Sequence, residues 1–326
     1  RGAVVDPQPR EIAERALFHK HHLHQSTRHE NEIMALKVVD EIRDDFALRG
    51  RSELYRVDLK SMASAHRLHQ GINLRGHQVW ASYEHFQEIL AIRNQPADEE
   101  LWDIVEFFSS HSDPNLFKER HALSQSEFRK LVQPLIRTGH IVQDFRGGFR
   151  SVFVPEGVDR AELRKEYIRK LVEKFPVITL RQLTQLAGPS FKPEELKAVL
   201  NAFEEDETLI KGFLIEDFHQ VCWGRKELLQ EAKSIPSIRD FVLPPSDPIA
   251  PYFADIMKER FGFGSAYLVF RNAEPVAAFK ANTRNKIIDV KDYEGSEKAW
   301  RIVKEFAWEH QMPLQTDLRI GGKKLQ

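Results

Sequence analysis

The run FVLPPSDPIAPYF at 241–253, followed by YLVFRNAEPVAAFKA at 267–281 and NKIIDVKDYEG at 285–295, decides the fold. A proline-rich lead-in opens onto two stretches where apolar and polar residues alternate around charged turns, the period-two pattern of half-buried strands. From Glu297 to His310 the period becomes helical, with Trp300, Val303, Phe306 and Ala307 on one face, and LRI at 318–320 has the character of a last short strand. Residues 234–326 are therefore expected to form a β-rich, barrel-like C-terminal domain. The four prolines between Ser234 and Pro248 read as the linker that sets it apart.

Upstream, two segments repeat one plan. In 96–157, a helix from Asp98 to Ser110 and a short helix over 114–121 precede Ser124, whose spacing to Glu127 is that of a capping box. The helix from Gln125 to Thr138 follows; Pro134 is expected to kink it or end it early, and Gly139 closes it. HIVQDF (140–145) and FRSVFV (149–154) then face each other across Arg146-Gly147-Gly148 as a hairpin. In 158–233, a helix from Arg160 to Phe175, a Thr179-capped helix to Ala187 and a helix opened by Pro193 precede a second alternating strand pair at 209–223. Three helices and a hairpin make a winged helix, so the expected class is α+β: tandem winged helices, then the β-rich domain. Residues 1–95 read as an N-terminal helical region, with helices at 8–26, at 29–48 (Ile33, Leu36, Val39, Ile42 and Phe46 on one face) and two more within 53–93.

Composition limits the function. The 326 residues are 41% hydrophobic and 30% charged, as in soluble globular proteins. No run of about 18 apolar residues is present, so no membrane partner is expected. Cys222 is the one cysteine, which excludes disulfides and thiolate zinc sites within the chain and makes an intracellular compartment the default, expected to be the cytoplasm, with nucleoid association if the source is prokaryotic. Since Lys plus Arg number 48 against 49 acids, any nucleic-acid surface must come from local segregation of charge. The chain begins at Arg1 and its first residues carry no targeting reading.

VLPPSDP, YLVFRNAEPVAAFKA and TDLRIGG (316–322), with the second strand pair and its acidic lead (203–229), resemble the winged-helix and β-barrel module of Lhr-type helicase C-terminal regions. The same module occurs in AlkZ-type (YcaQ-type) DNA glycosylases. The resemblance covers about 160–326 and implies DNA as partner, double-stranded or damaged, with a helicase or nuclease as a further protein partner. No G-x-x-x-x-G-K-[ST] is present, so the chain carries no helicase motor. The early Gln-x-Gln or Gln-x-Asp motif of the glycosylase branch has its nearest match in Arg56-Val57-Asp58, where Arg replaces Gln.

The candidate phosphate contacts are Arg129, Lys130 and Arg137 on the would-be recognition helix, Arg146 and Arg150 on the wing, and Lys280, Arg284 and Lys286 around a basic turn. Phe149 either wedges at a base step or folds into the core. Glu204 to Glu207, four successive acids, turn the second unit away from phosphate. Asp58, Asp247 and Asp317 are the candidate catalytic carboxylates for a glycosylase, with a turn or capping role as the plainer reading of Asp247. His19, His21, His22, His24 and His29 cluster, and His66 and His69 would share a helix face, but no H-E-x-x-H is present and neither metal nor cofactor is assigned. Two functions stand: a DNA-repair protein, glycosylase-like or a non-catalytic DNA-binding module, and a protein-interaction scaffold built from winged helices without nucleic acid.

Overall fold

The computed structural model describes residues 6–23, 40–51, 58–235 and 238–326. The chain is α+β, with two winged-helix units and a curled five-stranded C-terminal sheet. No helix among the described residues is long and apolar enough to cross a membrane.

The first unit holds the helices Trp102–Ser110, Pro114–Arg120 and Gln125–Thr138 and the hairpin Ile141–Gln143/Phe149–Ser151. Ser124 Oγ accepts from the Glu127 amide at 3.2 Å while Glu127 Oε2 accepts from the Ser124 amide at 2.7 Å, so the capping box closes in both directions. Pro134 does not end the helix, which runs on to Thr138 and stops at Gly139, where φ is 86°. The unit has its own small core of edge-on and tilted rings: Phe108, Phe117, Phe128 and Phe149, with centroids 5.2–6.3 Å apart.

The wing does not stand alone. The segment 69–81, inside the N-terminal region expected to be helical, is a hairpin, His69–Ile72 against Gln78–Ala81, and it extends the wing into a four-stranded sheet. Gly71 permits the join: a Cβ there would meet the Phe86 ring at 2.7 Å and Val142 at 2.9 Å. His66 therefore ends a helix and His69 opens a strand, so the two do not share a helix face.

The second unit holds the helices Arg160–Glu173, Leu180–Ala187 and Pro193–Glu205 and a three-stranded sheet of Val177–Ile178, Cys222–Gly224 and Ile210–Gly212. Its core is not private. Ile168, Leu183, Leu196 and Trp223 belong to one continuous cluster with Leu17 and Phe18 of the N-terminal helix Arg10–Lys20 and with Phe241, Phe253 and Phe270. Phe18 sits edge-on to Phe241 at 4.9 Å and to Phe270 at 4.8 Å. A ring so enclosed is worth about 3–5 kcal/mol on truncation to Ala.

The C-terminal sheet runs Leu314–Thr316, Ile288–Gly295, Glu274–Asn282, Tyr267–Arg271, Phe241–Leu243. The proline-rich stretch is thus not a free linker: Phe241–Leu243 is an edge strand paired with Leu268–Phe270, because three consecutive apolar residues gain more from burial than from separation. The helix Glu297–Glu309 covers one face with Trp300, Val303 and Phe306. Of the predicted helix at 29–48, residues 29–39 lie outside the described residues, as do His24, His29, Arg56 and Val57; within 40–51 the helix is the short Asp45–Arg49.

Candidate active-site cleft

Residues 40–43 lie extended beside the 69–81 hairpin. Ile42 forms a two-hydrogen-bond bridge with Trp80, donating at 2.9 Å and accepting at 2.7 Å, and its side chain is fully buried. Successive side chains of extended backbone point to opposite faces, so burying Ile42 sends Glu41 and Arg43 the other way. Both line a cleft of about 430 Å³. Its other walls are the helix Tyr83–Arg93, the end of Arg160–Glu173, and the loop 246–249.

Glu41 is fixed at both oxygens. Asn73 Nδ2 donates to Oε1 at 3.0 Å and His85 Nε2 meets Oε2 at 2.9 Å. Asn73 is itself held by its hairpin turn, where its Oδ1 accepts from the amides of Arg75 (3.0 Å) and His77 (2.8 Å). Ser82 caps the helix that carries His85, accepting from the His85 amide at 3.1 Å. Burial pushes the Glu41 carboxyl upward, but the His85 hydrogen bond and charge, with Asn73 and Lys174, outweigh it and leave the carboxyl below its ordinary value. For His85, burial works downward, and Glu41, Asp40 and Glu88 reverse it, raising the imidazole above its ordinary value. Both shifts favour the same form of the pair, carboxylate facing imidazolium. The Glu41 side chain keeps 22% of its surface exposed and His85 11%. Asp40 pairs with Lys174, which closes the helix Arg160–Glu173.

His21 Nε2 is 2.7 Å from the Lys174 carbonyl, which can only accept, so Nε2 carries the proton. Burial holds the imidazole well below its ordinary value and neutral. Its buried Nδ1 is then a lone pair with no hydrogen-bond partner among the described residues, on a side chain that lines the cleft.

Asp247 also borders the cleft, yet its carboxylate is occupied. Arg51 Nη1 and Nη2 donate to it at 2.6 and 3.0 Å, and the Ile249 amide donates at 3.1 Å. Arg51 further donates to the carbonyls of His21 (2.9 Å) and Ala47 (2.8 Å). With 0% and 2% of their side chains exposed, the two form a clamp between three segments. Asp58 caps the helix Leu59–His66, accepting from the Ser61 amide at 2.6 Å, and does not line the cleft. Asp317 is 99% exposed, 4.0 Å from Lys324, also outside the cleft. The three sequence candidates are not brought together; Glu41 and His85, 44 residues apart, carried no local signal.

Arg129, Lys130 and Arg137 are exposed on the third helix of the first unit, and Arg146 and Arg150 on its wing. The Arg150 guanidinium lies 3.6 Å from the centre of the Tyr83 ring, while Arg146 lies over Phe145 at 5.3 Å. Phe149 is 6% exposed within the aromatic core, so its ring is closed to a base step. Lys280, Arg284 and Lys286 are exposed around the turn between two C-terminal strands, Lys280 over Phe263 at 5.3 Å. Among the described residues no three His, Cys, Asp or Glu side chains are arranged to hold a metal ion.

Neither family models nor curated protein sequences match this chain. Among solved structures it is similar to the Streptomyces sahachiroi DNA glycosylase AlkZ, with a TM-score of 0.63 at 11% identity, over 95% of this chain and 100% of that one. The likeness is one of fold: the arrangement of winged helices and curled sheet is AlkZ-like.

Proposed function

We propose that this protein acts in DNA repair, binding duplex DNA through its first winged unit and admitting an extruded nucleotide to the Glu41 cleft, where the base is released by hydrolysis. The single observation that carries the reading is a carboxylate fixed at both oxygens, kept ionised and still partly open, on the wall of a cleft of about 430 Å³. That volume falls in the range of small-ligand sites. Likeness of fold to a protein named a DNA glycosylase supports the same reading.

In this chemistry the C1′–N bond breaks and its electron pair leaves with the base, which takes up a proton. The sugar develops positive charge, and water supplies the hydroxyl at C1′ and releases its proton. A fixed carboxylate stabilises that charge or takes that proton without reorganising. Arg129, Lys130, Arg137, Arg146 and Arg150, with Lys280, Arg284 and Lys286, serve as phosphate contacts, and they position the duplex rather than read it. The acidic end of Pro193–Glu205 keeps the second unit away from phosphate.

A non-catalytic DNA-binding reading has one specific support: Glu41 already has an ionic partner in His85. Duplexes carrying uracil, alkylated or cross-linked bases, incubated with the protein and then treated with alkali, separate the two. Strand breaks above a heat-killed control on any of them support base release. None on all of them, with binding retained, leaves the binding module.

A further inference from the structure

The helix Glu297–Glu309 buries Trp300, Val303, Phe306 and Ala307, but the next residue, Trp308, keeps 74% of its surface exposed, the most of any large apolar side chain among the described residues. A single exposed apolar residue is ordinary. This one borders a shallow cleft of about 530 Å³ that continues along Ala307, Met312 and Leu314. Lys304, one helical turn before Trp308, and Lys324 flank it, and no acidic residue lines it.

The far wall is fastened in place. Gly321 and Gly322, at φ 58° and 82°, make the tight turn that folds Lys323–Lys324 back on Arg319–Ile320. Leu325 is buried, and its amide donates to the Leu318 carbonyl at 3.0 Å. Trp300 Nε1 donates to the Gln326 carbonyl at 3.2 Å. Lys324 is thus held against the helix that carries Trp308. Its contact with the wholly exposed Asp317, at 4.0 Å, is too long and too solvated to neutralise it.

We infer that this cleft binds single-stranded nucleic acid, one base stacking on Trp308 and the adjoining phosphates meeting Lys304 and Lys324. An open indole offers a face to any unstacked base, and lysines of one sign along its edge select a polyanion. A duplex keeps its base faces covered and cannot use the indole. A peptide added beside the edge strand Leu314–Thr316 is the other class of occupant, and the side chains of the lining, which include Lys304 and Lys324 and no Asp or Glu, favour the anion. The site is separate from the Glu41 cleft, with which it shares no lining residue, and stands whether or not base release occurs there.

The full chain, irradiated with an oligothymidylate carrying 5-iodouracil and then digested with trypsin, should show its adduct on Trp308 within the peptide Glu305–Arg319. Trp308→Ala should weaken binding of the unmodified oligomer by roughly 5-fold to 150-fold, the range for losing one stacked base, while Trp308→Phe retains most of the affinity. Lys304→Ala with Lys324→Ala should flatten the slope of log affinity against log salt by about 1.4. Should Trp308→Ala fail to fold, the adduct and the lysine double variant decide. An adduct only outside Glu305–Arg319, wild-type affinity in a folded Trp308→Ala, or a wild-type dimer in sedimentation that Trp308→Ala abolishes would each overturn the inference.

Discussion

Asp247 and Glu41 border the same cleft and each faces a cation, yet 2% of one side chain is exposed and 22% of the other. Asp247 meets Arg51 in a dry, bidentate pair that also bonds the His21 and Ala47 carbonyls and the Ile249 amide. Glu41 meets His85 and Asn73 at a wall open to the cleft. Ion pairing alone therefore does not mark a reactive carboxylate. The discriminating quantity is what remains after the protein partners are satisfied: for Asp247 nothing faces out, for Glu41 a fixed charge remains accessible.

The sharpest break between the two is in stability. Asp247→Ala leaves Arg51 charged and buried without its carboxylate and should cost about 3–5 kcal/mol in urea unfolding. Replacing both, as Arg51→Met with Asp247→Leu, should recover much of that loss, since a well-packed apolar pair avoids the desolvation penalty. A Glu41→Gln chain should lose only about 1 kcal/mol, because the amide keeps the shape and the Asn73 contact through its oxygen. Equal losses for Asp247→Ala and Glu41→Gln would erase the comparison.

The pH dependence of the Glu41–His85 pair sharpens it further. The folded imidazole lies above its ordinary 6.5, so its contribution is complete below 6.5 and fades as pH rises through the raised value. The folded carboxyl lies below its ordinary 4.5, so its contribution is present above 4.5 and fades as pH falls through the lowered value. The stability difference between wild type and His85→Gln should therefore be greatest between about 4.5 and 6.5, at about 1–2 kcal/mol, and shrink on both sides. Buried His21 and His310 act in the opposite sense on the acid side, losing stability as pH falls below 6.5, but they do so equally in both chains and cancel in the difference. A difference that does not vary with pH would mean that His85 is not charged.

The smallest effect belongs to the wing. Arg146→Ala with Arg150→Ala should weaken duplex binding alike for all sequences and flatten the salt slope by about 1.8, two phosphate contacts' worth. An unchanged slope would remove the wing from the DNA surface.

Elements with local chemistry were legible in the sequence. The Ser124–Glu127 capping box, the Thr179 cap, Gly139 and Pro193 all act within a few residues, and each stands where its helix begins or ends. The hairpin at 69–81 was not, because HQGINLRGHQVW mixes polar residues with glycines, and what stabilises it is the approach of Gly71 to Phe86 and Val142, the latter a contact across 71 residues. The strand Phe241–Leu243 was masked by Pro244 and Pro245, which follow it directly and do not enter the ladder. The same limit applies to the cleft. The nearest sequence match to the glycosylase motif is Arg56-Val57-Asp58, whereas the cleft is lined by Glu41 and Arg43 on either side of the buried Ile42, and the groups facing Glu41, Asn73, His85 and Lys174, come from three other segments. The sequence around Phe149 is compatible with surface and with core, and the aromatic cluster around Phe108 closes it into the core.

The most direct test of the account is base release by wild type, Glu41→Gln and the stability-matched Arg51→Met/Asp247→Leu chain on the duplex that wild type processes fastest. The account predicts that Glu41→Gln binds the duplex as wild type does but releases base at least about 100-fold more slowly, the scale of losing one fixed electrostatic group at a reacting centre, while the double variant keeps most of the activity. Wild-type rates in Glu41→Gln, or an inactive but folded Arg51→Met/Asp247→Leu, would contradict it.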